Sequence, residues 1–133
     1  MIEMARLEES KETPNKVRWD ADVDGTAFEL YIPKWRVPEP WPRLIDVTIS
    51  PYTQQPLGKL SQDTARENPR SRAVSIATHL KKFREHTQTV RYQPEGDPLD
   101  WEIGEPYLLT PMTFDSAERL TITVKWQRSR ESE

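Results

Sequence analysis

Three aspartates at alternate positions, Asp20, Asp22 and Asp24, followed at once by Gly25, start like a calcium-binding loop: carboxylates at loop positions 1, 3 and 5, then the glycine at 6. Such a loop also needs a bidentate glutamate at position 12 and a helix on each side. Position 12 here is Tyr31, and both flanks alternate apolar and polar residues as strands do. The spacing reads as the acidic face of a hairpin. A surface cation contact at Asp20, Asp22 and Glu29 is the alternative reading, and no metal centre or cofactor is expected.

The other chemistry-bearing residues are sparse. His79 and His86 are the only histidines. On a helix, seven residues separate them by about 10 Å, too far to share one ion. Either histidine, with an acidic cluster drawn from Asp20, Asp22, Glu29 and Asp46, defines the enzyme alternative, which requires a desolvated carboxylate. No nucleophile elbow, P-loop or glycine-rich dinucleotide loop is present. With 4 glycines in the chain, a phosphate cradle has little to be built from. Cysteine is absent, which excludes disulfides and thiolate chemistry and is compatible with the cytoplasm, the expected compartment. The first residues, MIEMARLEESKE, lack the apolar run of a signal peptide, and no apolar stretch approaches the roughly 20 residues of a membrane helix.

The most distinctive stretch runs from Pro33 to Pro42, PKWRVPEPWP. Its prolines cannot donate to a central ladder, so it is a stiff connector or an edge. Large amphipathic rings on a stiff backbone lose little entropy on binding. Trp35, Arg36, Trp41 and the later Tyr52 are therefore the candidate ligand- or partner-binding residues. Trp41, which leads into the next strand, is expected as a lid over the core, and Trp35 as the more exposed ring.

These residues need elements to hold them. Val17, Trp19, Ala21 and Val23, then Thr26, Phe28, Leu30 and Ile32, alternate on either side of Asp24-Gly25. That dipeptide is a strong signal for a two-residue turn, and it fixes the register as Val23–Thr26, Ala21–Phe28, Trp19–Leu30 and Val17–Ile32. Arg43–Ser50 reads as a third strand. Thr53–Glu67 reads as a polar connection with a turn of helix, and Thr89–Gln93 and Leu120–Trp126 as strands. Trp101–Ile103 reads as the start of another strand, and Tyr107–Phe114 as an extended segment interrupted by Pro111. Asn68-Pro69 has the form of a helix start. Ala73, Ile76, Ala77, Leu80 and Phe83 come after it at helical spacing, predicting one main helix from Pro69 to about His86.

That helix would carry a second stripe, Arg72, Ser75, His79, Lys82 and His86. Arg72, His79 and Lys82 are its candidates for an anion contact. Between Lys59 and Arg91, eight basic residues against three acidic ones give +5, so the remainder of a chain of net charge −3 carries −8. The asymmetry fits either an anionic partner or pairing within the molecule. No nucleic-acid motif accompanies it, so a nucleic-acid partner is not expected.

The expected fold is a single α+β domain over 1–133: a mostly antiparallel, curved sheet of five to seven strands with one helix on one face. Residues 1–15 are expected as a loose arm, with an edge strand as the alternative, and 128–133 as a frayed tail. The expected role is non-catalytic binding. The site would hold an apolar or aromatic small molecule, or a protein partner, with a homodimer through exposed strands allowed. An enzyme, or an anion or nucleic-acid binder using the helix, is the alternative.

Overall fold

The computed structural model describes residues 3–127. It overturns the α+β expectation. Eight strands form one sheet: β1 (Glu3–Glu12), β2 (Lys16–Val23), β3 (Thr26–Pro33), β4 (Leu44–Pro51), β5 (Ile76–Glu85), β6 (Thr89–Pro94), β7 (Tyr107–Leu109) and β8 (Arg119–Trp126). The order is β3-β2-β1-β4-β8-β5-β6-β7, with every neighbouring pair antiparallel. The sheet curls until its two edges meet, where the Gly104 N–H donates to the Tyr31 carbonyl at 2.8 Å. It is thus a nearly closed barrel, and its core lies inside the curl. The one α-helix among the described residues, α1 (Gln62–Glu67), is six residues long and is capped by the Ser61 hydroxyl.

The hairpin forms in the expected register, Val23 against Thr26 and Val17 against Ile32. Asp24 and Gly25 take φ of 52° and 86°, as a turn with both central residues left-handed requires. The Asp22 carboxylate accepts from the Gly25 N–H at 2.7 Å, so it serves the turn. Asp20 and Glu29 do face each other, and Arg18 lies between them, 3.2 Å from one carboxylate and 3.5 Å from the other. The repulsion within the like-charge pair is thereby screened, with one negative charge left over.

The main helix predicted over 69–86 is absent. Asn68-Pro69 does open a helical turn, but it is a 3₁₀ turn, Pro69–Ala73, that stops at Val74 in extended geometry. The chain then enters β5, paired with β8 on one side and β6 on the other. Ile76 and Leu80 are four apart, a spacing common to one face of a helix and one face of a strand. Thr78 between them decides the matter. It is 2% exposed and opposite Ile122, so the inward run is Ile76, Thr78, Leu80. Phe83, the last member of the helical stripe, ends up exposed at an irregularity in the β5–β6 ladder between Lys82 and Arg84. Long-range ladder bonds here override a local periodicity.

Residues 3–12, expected as a loose arm, form β1 between β2 and β4, near the middle of one half of the sheet. Its alternation is hidden because only Leu7 is fully buried in it, while Glu3, Ala5 and Glu9 are half-buried. The frayed tail expected at 128–133 lies outside the described residues.

The core is largely aliphatic, with Trp19, Phe28 and Tyr92 its large rings. The buried Trp19 indole N–H donates to the Pro42 carbonyl at 3.0 Å, and the Tyr92 hydroxyl donates to the Ala117 carbonyl at 2.6 Å. Burial pushes the Tyr92 phenol up to about 12, so the hydroxyl keeps its proton and this bond across the physiological range.

Candidate functional site

β3 ends at Pro33, and the chain turns at once into a single 3₁₀ turn, Lys34–Arg36. The turn sends its two long residues in different directions. Trp35 stays half-exposed on the surface, while Arg36, 1% exposed, enters the interior. A buried guanidinium survives only if its charge and donors are met. Arg36 Nε donates to Glu102 Oε2 at 2.7 Å. Its Nη1 donates to the Arg72 carbonyl at 2.7 Å, and its Nη2 to those of Val74 at 2.7 Å and Ser75 at 3.3 Å. One side chain therefore ties together the turn after β3, the connection into β5, and the loop before β7.

Glu102 reaches this pair from a loop that is itself closely held. The Asp97 carboxylate accepts from the Leu99 N–H at 2.9 Å and caps the 3₁₀ turn Pro98–Asp100. The Trp101 indole N–H donates to the Gly96 carbonyl at 3.1 Å. Gln62, at the start of α1, donates its side-chain amide to the Leu99 carbonyl at 2.5 Å and its backbone N–H to Asp100 at 3.3 Å. Beyond the ion pair, Gly104 lies so close to β3 that an added Cβ would stand 3.3 Å from the Tyr31 carbonyl oxygen. A side chain there would wedge the seam of the barrel.

The result is a symmetrical piece of chain logic. Trp35-Arg36 and Trp101-Glu102 are two Trp-charge dipeptides from opposite edges of the sheet. Their charged members pair at the interior, 66 residues apart in sequence. Their tryptophans both line one groove of about 480 Å³, together with Pro14, Pro33, Pro98 and Leu99, and with Lys16, Gln62 and Glu105 among its polar members. That volume and mixture lie within the range of small-molecule sites. The Glu105 carboxylate accepts from Arg91 and from Gln93, both at 2.6 Å. Burial pushes its pKa up, but the bonds from Arg91 and Gln93 outweigh burial and hold it below the ordinary value.

The other candidate residues do not join this groove. Arg36 is covered and braces the site from behind. Trp41 packs partly buried against the core, with the Lys34 ammonium 5.6 Å from its ring centre. Tyr52 lies edge-on to His79, centroids 4.7 Å apart, with the Arg119 guanidinium 4.3 Å from its ring. His79 is 8% exposed on the outer face of β5, its Nδ1 3.0 Å from the Thr121 hydroxyl and its Nε2 2.9 Å from the Gln55 carbonyl. Both ring nitrogens are thus engaged in holding the loop after β4 to the sheet. Lys82 meets Glu85 at 3.0 Å and the Ser116 carbonyl at 3.1 Å. Arg72 lines a shallower hollow of about 300 Å³ with Pro38, Arg70 and Ala73.

Without a helix, Arg72, His79 and Lys82 share no face, which removes the basic-stripe geometry. The acidic residues of the opening motif do not converge either. Asp46 is bonded to Arg6 and Gln127, and Asp20 accepts from the Ser10 hydroxyl at 2.6 Å. Among the described residues no three His, Asp or Glu side chains approach as metal ligands would.

Trp101, which lines the groove, and Glu102, which pairs with Arg36, are not among the candidates the sequence singles out. Their signal was present: a lone Trp-Glu dipeptide after the turn cluster PEGDP, matching Trp-Arg in the proline-rich stretch with the opposite charge. Comparison with protein-family models, curated proteins and solved structures returns no match.

Proposed function

We propose that this protein is a non-catalytic binder that holds an apolar or aromatic small molecule in the groove lined by Trp35 and Trp101. One observation carries this reading. Two half-exposed indoles from opposite edges of the sheet open on the same groove, each fixed by its neighbour's place in a buried ion pair. Indoles held this way lose little freedom on binding, which is what preorganisation requires. An enzyme built from an acidic cluster and a histidine has less support, because His79 has both nitrogens occupied and Asp46 is paired.

The test is a titration of ¹⁵N-labelled protein with a set of aromatic fragments. The indole N–H signals, assigned through Trp35→Phe and Trp101→Phe, are the readout. Fragments that bind are expected to move the signals of Trp35 and Trp101 and to leave that of Trp19 in place. Binding that moves only residues around Tyr52 and His79, or no saturable binding at all, overturns the proposal.

The protein-partner reading keeps one observation of its own. β3 pairs with β2 along its length, but on its other side, among the described residues, its backbone bond is the single one from Gly104. β7 is only three residues long, so the part of β3 beyond that seam can accept a strand from a partner or from a second copy. Light scattering across a concentration series tests it, and a concentration-independent monomer mass removes the second copy.

A further inference from the structure

We infer that the groove selects ligands carrying a single carboxylate on their apolar body, with the Lys16 ammonium as its receptor. This rests on the binding reading above and names the ligand class. Three ionised side chains line the groove: Lys34, Glu105 and Lys16. Lys34 is engaged by Glu12 at 2.5 Å. Glu105 is engaged by Arg91, and both its oxygens accept hydrogen bonds. Lys16 has no carboxylate within 4 Å among the described residues, and its Nζ stands beside Gly104, 3.6 Å from where a Cβ would be. Glu105 feels its charge without touching it, so one ammonium with no contact ion pair among the described residues lines this indole- and proline-lined cleft.

Position makes the cation more than a solvated surface lysine. Lys16 opens β2 directly opposite Pro33, the residue that leads into the Trp35 turn. It is thus fixed to the same sheet edge that presents one of the two rings. A ligand whose flat body rests on the indoles would place an acidic group within its reach. The neighbouring Gln62 amide donates one of its two N–H groups to the Leu99 carbonyl and carries no charge, so recognition of the anion's charge falls to Lys16. A cleft of about 480 Å³ suits a free small-molecule acid.

The test compares 2-naphthylacetate with its neutral amide, 2-naphthylacetamide, by the indole titration described above at low ionic strength. The acid is expected to bind about twofold to fivefold more tightly, the worth of one exposed ion pair. That advantage should shrink in concentrated salt. In Lys16→Met the acid should fall to the affinity of the amide, while the amide itself is unchanged. In Trp101→Ala both should weaken together, with the amide fingerprint spectrum reporting that each variant is folded.

Equal binding of acid and amide at Trp35 and Trp101 would sink the carboxylate inference and leave the binding reading standing. No movement of those two signals by either compound would sink both. A short peptide ending in a free tryptophan carboxylate provides the last arm. If it binds more tightly than 2-naphthylacetate and loses its affinity when amidated, the receptor serves a chain terminus and the small-molecule inference is wrong.

Discussion

Residues 16–33 and residues 69–106 contribute to the same sheet, yet the first region is built from its neighbours and the second from strangers. In the hairpin, each pair from Val17–Ile32 to Val23–Thr26 is closed through one two-residue turn. In the other region, β5 takes His79's partner Thr121 from 42 residues away, and Glu102 finds Arg36 across 66. A local turn fixes register before any tertiary contact exists. A distant partner leaves the same residues open to either periodicity until the sheet assembles. This contrast is also one of burial, since the hairpin's charged face is wet and the Arg36–Glu102 pair is dry.

The largest effect should come from breaking the long-range pair. Glu102→Ala leaves Arg36 buried without its counter-charge, and the cost should be about 3–5 kcal/mol. Urea denaturation measures it. The double replacement Arg36→Met, Glu102→Leu should recover most of the loss, because an apolar pair of similar volume carries no desolvation penalty. If Glu102→Ala costs under 1 kcal/mol, roughly the value of a surface pair, the three segments are not held by this ion pair and the contrast collapses.

Next comes Thr78→Lys. On the helix expected over 69–86, residue 78 would fall outside the Ala73–Phe83 stripe and would tolerate a lysine. In β5 the residue is 2% exposed against Ile122, so a lysine there buries a charge with no partner. A loss of about 3 kcal/mol or more is expected, and a melting temperature unchanged from the parent would return this segment to the helical reading.

These two sites show what could be read in advance. The hairpin register, β4, β6 and β8 follow from alternation bounded by turn residues, while Trp35 and Trp41 are both half-buried. β1 and β5 do not, because a central strand needs only as many apolar residues as its inward face requires. In β1 that face includes half-buried Glu3 and Glu9, and in β5 it includes Thr78. Half of the groove was legible for the same reason. Trp35 sits in a stretch whose composition is unusual. Trp101 sits in an ordinary loop and becomes half of a site only through the pairing of the residue after it.

Gly25→Val tests the local side of the comparison, at smaller scale. Nothing lies within 4 Å of a Cβ added at Gly25, so the cost is that of the backbone alone, whose φ is 86°. About 1–2 kcal/mol is expected for a β-branched residue forced into the left-handed region. A larger loss, with chemical-shift changes spreading into β1 and β4, would mean that the turn supports the sheet well beyond its own hairpin.

The smallest effect separates sequence distance from burial, which the first comparison confounds. Asp46 and Arg6 are 40 residues apart and join β4 to β1, so they are as long-range as the groove's pair in kind, yet Arg6 is largely exposed. The hydrogen bond from Arg6 holds the Asp46 carboxyl below its ordinary value of about 3.9, with burial opposing and Gln127 and Lys125 assisting. A carboxyl whose folded pKa is depressed stabilises the fold above its unfolded pKa, and that contribution fades as pH falls through the folded value. Stability should therefore be flat with respect to this group from neutral pH down to about 4 and decline below it. Asp46→Asn should remove a small part of that acid limb and change little at pH 7, because solvent screens a pair whose guanidinium is so open. A loss at neutral pH as large as that of Glu102→Ala would show that the distance a pair spans, not the water it excludes, sets its worth in this barrel.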